Sequence, residues 1–273
     1  MKKIIFLNGK FIPADEARVS VLAPGFLNGL GLFETMRAYQ GKIVYLDAHL
    51  KRITLSSRLL RLRSLYSLKE LRNLIRQAVK SGGFDDAYVR LTITKSFSGT
   101  DTLLIVKEHV PLSANIYLQG FSLCLHELAR NPVFLPAQVK TTSRIFFELA
   151  YQQAREKGFD EALILDDQGY ISEASRSNIF LIRGSEIFTP GLDCGCLDGI
   201  TRRVIFDLAA KFKIAMYTGK LVIQDLLDAD EAFLTNSLIG VMPLARLERK
   251  KIGDARCGKL TKFLQVKYSS LLS

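Results

Sequence analysis

The chain has 273 residues, 48% apolar and 24% charged, with 38 basic against 27 acidic side chains and a formal charge of +11. A chain this long buries about three quarters of its unfolded surface, so it needs no disulfide framework, and it suits one large domain or two modest ones. No apolar run approaches the ~20 residues of a membrane helix, and the positive excess leaves nucleic acid, a membrane surface or an anionic small molecule as partners to weigh.

The opening Met1-Lys2-Lys3 is followed by only four apolar residues, short of the roughly 7–15 of a secretory segment, so a cytoplasmic location is expected. Ile4 to Leu7, the turn Asn8-Gly9 and Lys10 to Ile12 read as a hairpin. Leu32 to Tyr39 is a strand, and Gln40-Gly41 turns it into a second at Ile43 to Leu46. Asp47 reads as the N-cap of a helix through about Leu62, with Leu50, Ile53, Leu55, Leu59 and Leu62 as its apolar positions. Ser67-Leu68-Lys69-Glu70 has capping-box spacing and opens a second helix that ends near Gly82-Gly83. In Tyr88 to Thr94, apolar Val89, Leu91 and Ile93 alternate with Arg90, Thr92 and Thr94, a strand with one buried and one wet face. Leu103 to Val106 is another strand.

A loose segment from His109 to Gln119 reads as a linker, giving two domains, 1–118 and 119–273. In the second, strands are expected at Phe121 to Leu125, Glu161 to Leu165, Asn178 to Ile182, Glu186 to Phe188, Ile214 to Tyr217 and Glu231 to Leu234. Helices are expected at Ser143 to Lys157, from Asp198-Gly199-Ile200-Thr201 to about Phe212, and after Gly258. The fold class is α/β (α+β), a smaller N-terminal α/β domain and a larger C-terminal one.

Gly25, Gly29 and Gly31 lack the GxGxxG order, a strand follows them, and they read as a glycine-rich turn. No GxSxG nucleophile elbow is present. Cys124, Cys194, Cys196 and Cys257 are few and scattered, as reduced thiols are. Cys194-Gly195-Cys196 lacks paired CxxC spacing and the histidines are only His49, His109 and His126, so no metal centre is expected. His49 and Arg52 share a helix face and read alone as a solvated or capping pair. Lys250-Lys251 reads as a surface hairpin tip, and the scattered basic residues make no nucleic-acid motif. Two segments carry more chemistry. Asp198-Gly199-Ile200-Thr201-Arg202-Arg203 starts a helix, where free N–H groups suit a phosphate, or where Thr201 is an ordinary N-cap. Thr235-Asn236-Ser237 is a second small polar turn after a strand.

The strings Gly31-Leu32-Phe33-Glu34-Thr35-Met36-Arg37-Ala38-Tyr39 and His49-Leu50-Lys51-Arg52 resemble the class IV (fold type IV) pyridoxal-phosphate enzymes. So do Gly158-Phe159-Asp160-Glu161-Ala162-Leu163, Gly169-Tyr170-Ile171-Ser172-Glu173, Ser177-Asn178-Ile179-Phe180, Thr189-Pro190, Leu197 to Arg202 and Phe233 to Ser237. The motifs occur in the family's order and cover essentially the whole chain. The resemblance implies a cofactor, pyridoxal 5'-phosphate, held as a Schiff base on Lys140 of Gln138-Val139-Lys140-Thr141-Thr142. A lysine amine suits that bond and then proton transfer. It implies Glu173 facing the pyridine nitrogen, Arg52 on the phosphate, and Asn178, Ile200, Thr201, Asn236 and Ser237 completing the cofactor set.

Within the family the chain departs from the Phe-Glu-Gly and Gly-Thr-Ala of branched-chain aminotransferases and from the Arg-x-His of D-amino-acid aminotransferases. Phe33-Glu34-Thr35, the Thr235 to Pro243 pattern and Arg144, four residues after Lys140, are similar to the aminodeoxychorismate lyases, which form 4-aminobenzoate and pyruvate for folate synthesis. That resemblance implies elimination with Lys140 as proton carrier and Thr35 assisting, an anionic amine substrate, and Arg37, Arg90 and Arg144 as receivers of its carboxylates. The alternative within the family is an aminotransferase acting on branched-chain or D-amino acids with the same Lys140, Glu173 and Arg52. A homodimer is implied, with neither nucleic acid nor membrane as partner.

Overall fold

The computed structural model describes residues 3–129 and 139–272. Its contacts divide the chain after Pro111, and the segment 139–144 returns to the first unit. The expected break after residue 118 thus falls at 111/112, because α4 (Ala114–Gln119) occupies the expected linker and belongs to the second unit.

The first unit is an antiparallel sheet ordered β2-β1-β6-β5-β3-β4. Its strands are β1 (Lys3–Leu7), β2 (Lys10–Ile12), β3 (Gly31–Tyr39), β4 (Lys42–Ile43), β5 (Asp86–Lys95) and β6 (Thr100–Glu108). Asn8 (φ 46°) and Gly9 (φ 101°) turn the first hairpin in the left-handed conformation that this pair tolerates. The short α1 (Pro24–Leu27) precedes β3, while α2 (Leu46–Leu59) and α3 (Leu68–Gly82) cover one sheet face. Leu32, Met36 and Ala38 of β3, Val89, Leu91 and Ile93 of β5 and Leu104 and Val106 of β6 are buried, as are Leu50, Ile53, Ile75 and Val79 of the helices.

The capping box at Ser67 and Glu70 forms on both sides, and Gly83 (φ 65°) ends α3. The start of α2 differs from expectation. The residue preceding the helix is Tyr45 in left-handed conformation (φ 51°), no side chain caps it, and Asp47 sits in the first turn paired with Arg72 at 2.7 Å. The opposite face of β5 also differs, since Thr92 is buried and Arg90 and Thr94 half-buried rather than wet.

The second unit carries a nine-stranded mixed sheet ordered β12-β11-β10-β13-β14-β7-β8-β9, with β15 beside β14. In chain order these are β7 (Phe121–Leu125), α5 (Ile145–Glu156), β8 (Glu161–Leu165), β9 (Ile171–Ala174), β10 (Asn178–Arg183), β11 (Glu186–Pro190) and α6 (Ile200–Lys211). Then come β12 (Met216–Gly219), α7 (Ile223–Leu227), β13 (Glu231–Asn236), β14 (Gly240–Leu247), β15 (Lys250–Lys251) and α8 (Lys259–Ser269). Both faces are covered. Leu163, Ile179, Leu234 and Met242 share one core, Cys124, Ala162 and Ile164 pack beneath α5, and Phe180 stacks on Phe233 at 4.7 Å. Burial on two sides explains why these strands read as continuous apolar runs.

Candidate active site

In the first unit, the side chains of β3 alternate between two faces, and its first four residues are buried on both. Glu34 lies on the core face between Leu32 and Met36, only 1% exposed, where a carboxylate survives only if paired. Its partners come from α2, three residues apart on one helix face. Arg52 donates from Nε to Oε1 at 2.7 Å and from Nη2 to Oε2 at 2.6 Å, and His49 Nδ1 lies 2.7 Å from Oε2. Burial pushes the Glu34 carboxyl up, but Arg52 and His49 overcome it and bring it from 4.5 down to about 2. Burial pushes His49 below its ordinary value against the pull of Glu34, with Arg52 and Lys140 adding to the lowering, so its ring is neutral at pH 7 and donates from Nδ1.

The other face of β3 carries Phe33, Thr35 and Arg37. Segment 139–144 lies along the β3 edge. Phe33 donates its N–H to the Lys140 carbonyl at 3.0 Å, Leu32 bridges Thr141, and Thr142 donates to the Gly31 carbonyl at 2.9 Å. The approach needs glycine, because a Cβ on Gly31 would stand 2.7 Å from Thr94 Cγ2 and 2.8 Å from Thr142 Oγ1, and one on Gly29 2.7 Å from Ser143 Oγ. Lys140 is thereby fixed by sheet-like pairing. Its Nζ lies 4.8 Å from the Phe33 ring centre, with the Arg90 guanidinium at 3.8 Å and that of Arg144 at 5.7 Å from the same centre. Among the described residues no carboxylate pairs with Arg90. Thr35 is half-buried and opposite Arg90 in the β3–β5 register. Arg37 is held in a fork by Asp86, with Nε donating to Oδ1 at 2.8 Å and Nη2 to Oδ2.

In the second unit, Glu173 on β9 is 6% exposed and accepts the Leu197 N–H at 3.1 Å. Asn178, at the start of β10, donates from Nδ2 to the Leu197 carbonyl at 2.7 Å. The two side chains clasp both backbone groups of one residue just ahead of α6. Helix α6 starts at Gly199 with no side-chain cap and no acidic residue in its first turn, although Ile200 and Thr201 are buried. Thr201 stands inside the first turn rather than at the N-cap. A Cβ on Gly199 would collide with Asn178 Oδ1, so only glycine permits the clasp. Beside it, across the β10–β13 register from Asn178, Thr235 is 1% exposed and its hydroxyl has no hydrogen-bond partner. Asn236 spends its side chain internally. Nδ2 donates to Ser177 Oγ at 3.1 Å, and Oδ1 accepts from Leu238 and Ile239 at 2.9 and 3.0 Å, closing the turn that carries Ser237.

Of the residues singled out in the sequence, Lys140, Arg90 and Arg144 gather about Phe33 with Thr35 on the same face. Glu173, Asn178, Ile200, Thr201, Asn236 and Ser237 belong to the second unit, and Gln138 lies outside the described residues. Sequence reasoning passed over Glu34, His49 and Phe33 as functional groups. A charge on the apolar stripe of β3, matched by two basic residues three apart on the next helix, is the signal that points to the first two.

A buried helix start with uncapped N–H groups and an orphaned hydroxyl beside it is an anion cradle in the second unit, and a sheet-pinned lysine among arginines is an anion-attracting cluster in the first. Each suits an anionic small molecule. The family model described as "Amino-transferase class IV" matches residues 31–247, and the chain belongs to that pyridoxal-phosphate-dependent enzyme family. It is 31% identical to a branched-chain-amino-acid aminotransferase of Pseudomonas aeruginosa, covering 99% of this chain and 93% of that one. It is 30% identical to an aminodeoxychorismate lyase of Bacillus subtilis, covering 97% and 93%. Among solved structures, the Escherichia coli branched-chain amino acid aminotransferase superposes with a TM-score of 0.94 at 26% identity, covering 99% and 94%. Taken unit by unit, the chemistry present suits that cofactor's parts: the uncapped α6 start and the Thr235 hydroxyl have the donors a phosphate takes, and a lysine such as Lys140 has the amine an aldehyde takes.

Proposed function

We propose that the chain is a pyridoxal-phosphate-dependent lyase that converts 4-amino-4-deoxychorismate to 4-aminobenzoate, a folate precursor, and pyruvate. The observation that carries this reading is the set of Arg90, Lys140 and Arg144 around Phe33. Such a charged setting suits an amine bearing two carboxylates better than a branched aliphatic side chain. In this reading Lys140 carries the cofactor and Glu173 partners its ring nitrogen. The amides of Ile200 and Thr201, with Arg52 and Ser237, serve the phosphate, while Asn178 and Asn236 hold the loops that present them. When bound, the protonated ring accepts the electron pair released as a C–H bond beside the substrate nitrogen breaks.

The chain's own residues do the rest. Once the substrate amine has displaced it from the cofactor, Lys140 Nζ is a free amine and takes the proton from the carbon bearing the substrate nitrogen. Arg90 and Arg144 hold the carboxylates, which orients the enolpyruvyl ether for departure. The Thr35 hydroxyl, on the same strand face, orients the Lys140 amine or relays its proton. Breaking the ether C–O bond leaves an aromatic ring, and protonation of the released enol carbon gives pyruvate. The substrate role falls to Arg90 and Arg144, which lie with Lys140 at the Phe33 ring, while Arg37 forks onto Asp86.

The likeness to aminotransferases supports a second reading, in which the same residues return the proton to the cofactor carbon. Mixing the purified protein with amino acids separates the two. A lyase keeps its cofactor in the aldehyde form, whereas stoichiometric pyridoxamine phosphate and keto acid overturn the lyase reading. We also propose a cytoplasmic homodimer. The exposed apolar run Val21, Leu22, Phe26 and Leu27 ahead of β3 supports association, and among the described residues no helix is long and apolar enough to cross a membrane.

A further inference from the structure

Glu161 on β8 lies outside every role assigned so far, yet it is 3% exposed and fully engaged. Its Oε1 accepts the Ser177 hydroxyl at 2.6 Å, and its Oε2 accepts the Arg176 N–H at 2.7 Å and the Ser175 hydroxyl at 3.4 Å. One carboxylate therefore gathers three consecutive residues of the tight connection between β9 and β10. Glu173 ends two residues before that connection and Asn178 begins immediately after it. The chain of bonds runs on: Asn236 Nδ2 donates to Ser177 Oγ, which donates to Glu161, and Asn236 also reaches the Arg176 carbonyl at 3.4 Å. The Arg176 side chain donates no hydrogen bond to Glu161, although its positive charge favours the ionised carboxylate. It reaches outward to Glu148 at 3.0 Å and lies 3.5 Å above the Tyr151 ring.

We infer that Glu161 is a positioning residue for cofactor binding, setting the distance between Glu173 and Asn178 through the 175–177 connection and the Ser237 turn through Ser177 and Asn236. The inference rests on the cofactor roles given under Proposed function. Aligned donors polarise one another along such a chain, so the loss of one member loosens the others. Burial raises the Glu161 carboxyl pKa while the Ser177 and Arg176 bonds oppose the rise, consistent with a buried acceptor whose donors are all supplied by one loop.

The test strips the full-length protein of cofactor and titrates it with pyridoxal 5'-phosphate, following tyrosine fluorescence, alongside the melting temperature of the cofactor-free chain. Glu161→Gln, which sets an amide N–H against a donor, and Ser177→Ala, which breaks the link to Asn236, are each expected to weaken cofactor binding by roughly 10- to 100-fold. Ser172→Ala, which removes a fully buried β9 hydroxyl with no hydrogen-bond partner, is expected to leave the affinity unchanged. The double variant should lose no more than the worse single variant, since both cut one chain. If wild type binds the cofactor and Ser177→Ala, folded, binds it equally well, the inference is overturned and the network is structural only. If Glu161→Gln does not fold, Ser177→Ala decides alone. A wild-type chain that binds no cofactor overturns the cofactor roles, and this inference with them.

Discussion

Replacing Glu34 by Gln removes the charge that holds Arg52 and His49 in the core of the first unit. The substitution is nearly isosteric, so the packing of Leu32 and Met36 is retained and the effect isolates electrostatics. Lowering the carboxyl from 4.5 to about 2 corresponds to about 3 kcal/mol in favour of the ionised form in the fold. The variant also strands a guanidinium that is 4% exposed, at the low end of the ~3–5 kcal/mol seen when a buried pair is broken. At ~2–4 °C per kcal/mol for a chain approaching this size, the melting temperature should fall by roughly 6–12 °C at pH 7. The pH profile gives the sign. The wild-type contribution is complete above about 4.5, where an unfolded carboxylate is ionised, and is lost as pH falls toward about 2. The stability gap between wild type and Glu34→Gln should therefore narrow on acidification through that range. Replacing both partners, Glu34→Leu with Arg52→Met, should recover much of the loss because no charge is left unpaired. The assay is circular dichroism melting of cofactor-free protein between pH 3 and 7. A Glu34→Gln protein melting within about 1 °C of wild type at pH 7 would refute the reasoning.

Gly199→Ala should push Asn178 off the Leu197 carbonyl and weaken pyridoxal phosphate binding by about tenfold or more, read by titration of the cofactor-free chain. Arg90→Met should raise KM for a substrate with two carboxylates by roughly 10-fold or more while kcat changes little, because the side chain binds charge and moves no proton. Gly31→Ala should crowd Thr94 on β5 as well as Thr142, shift segment 139–144 against β3 and lower kcat by about 10-fold or more through misplacement of Lys140, with the cofactor still trapped on the chain by borohydride.

Features with local causes were legible in the sequence. The Asn8-Gly9 hairpin, the Ser67 and Glu70 capping box and the buried stripe Val89, Leu91 and Ile93 each depend on residues close in the chain and each stands, whereas the opposite face of β5 is not wet because tertiary packing covers it. Strand β14 was missed because Gly240 to Leu247 is buried on nearly every side chain, does not alternate, and carries Pro243 in mid-strand. The start of α2 misled because Asp47 has the chemistry of a cap, yet the left-handed turn at Tyr45 begins the helix ahead of it. The motif order marked out the positions of the candidate site, while the partners of those residues depend on tertiary approach. That Arg52 forks onto Glu34, that Asn236 closes its own turn and that Arg37 is held by Asp86 each require backbone and side-chain placements that no local pattern encodes.

The most direct test supplies 4-amino-4-deoxychorismate to the purified protein and follows 4-aminobenzoate by fluorescence and pyruvate by reduction with lactate dehydrogenase. Wild type should form equal amounts of both products over many turnovers, and Lys140→Ala none above the uncatalysed rate. No 4-aminobenzoate from wild type, or undiminished turnover by Lys140→Ala, would contradict a lyase working through Lys140.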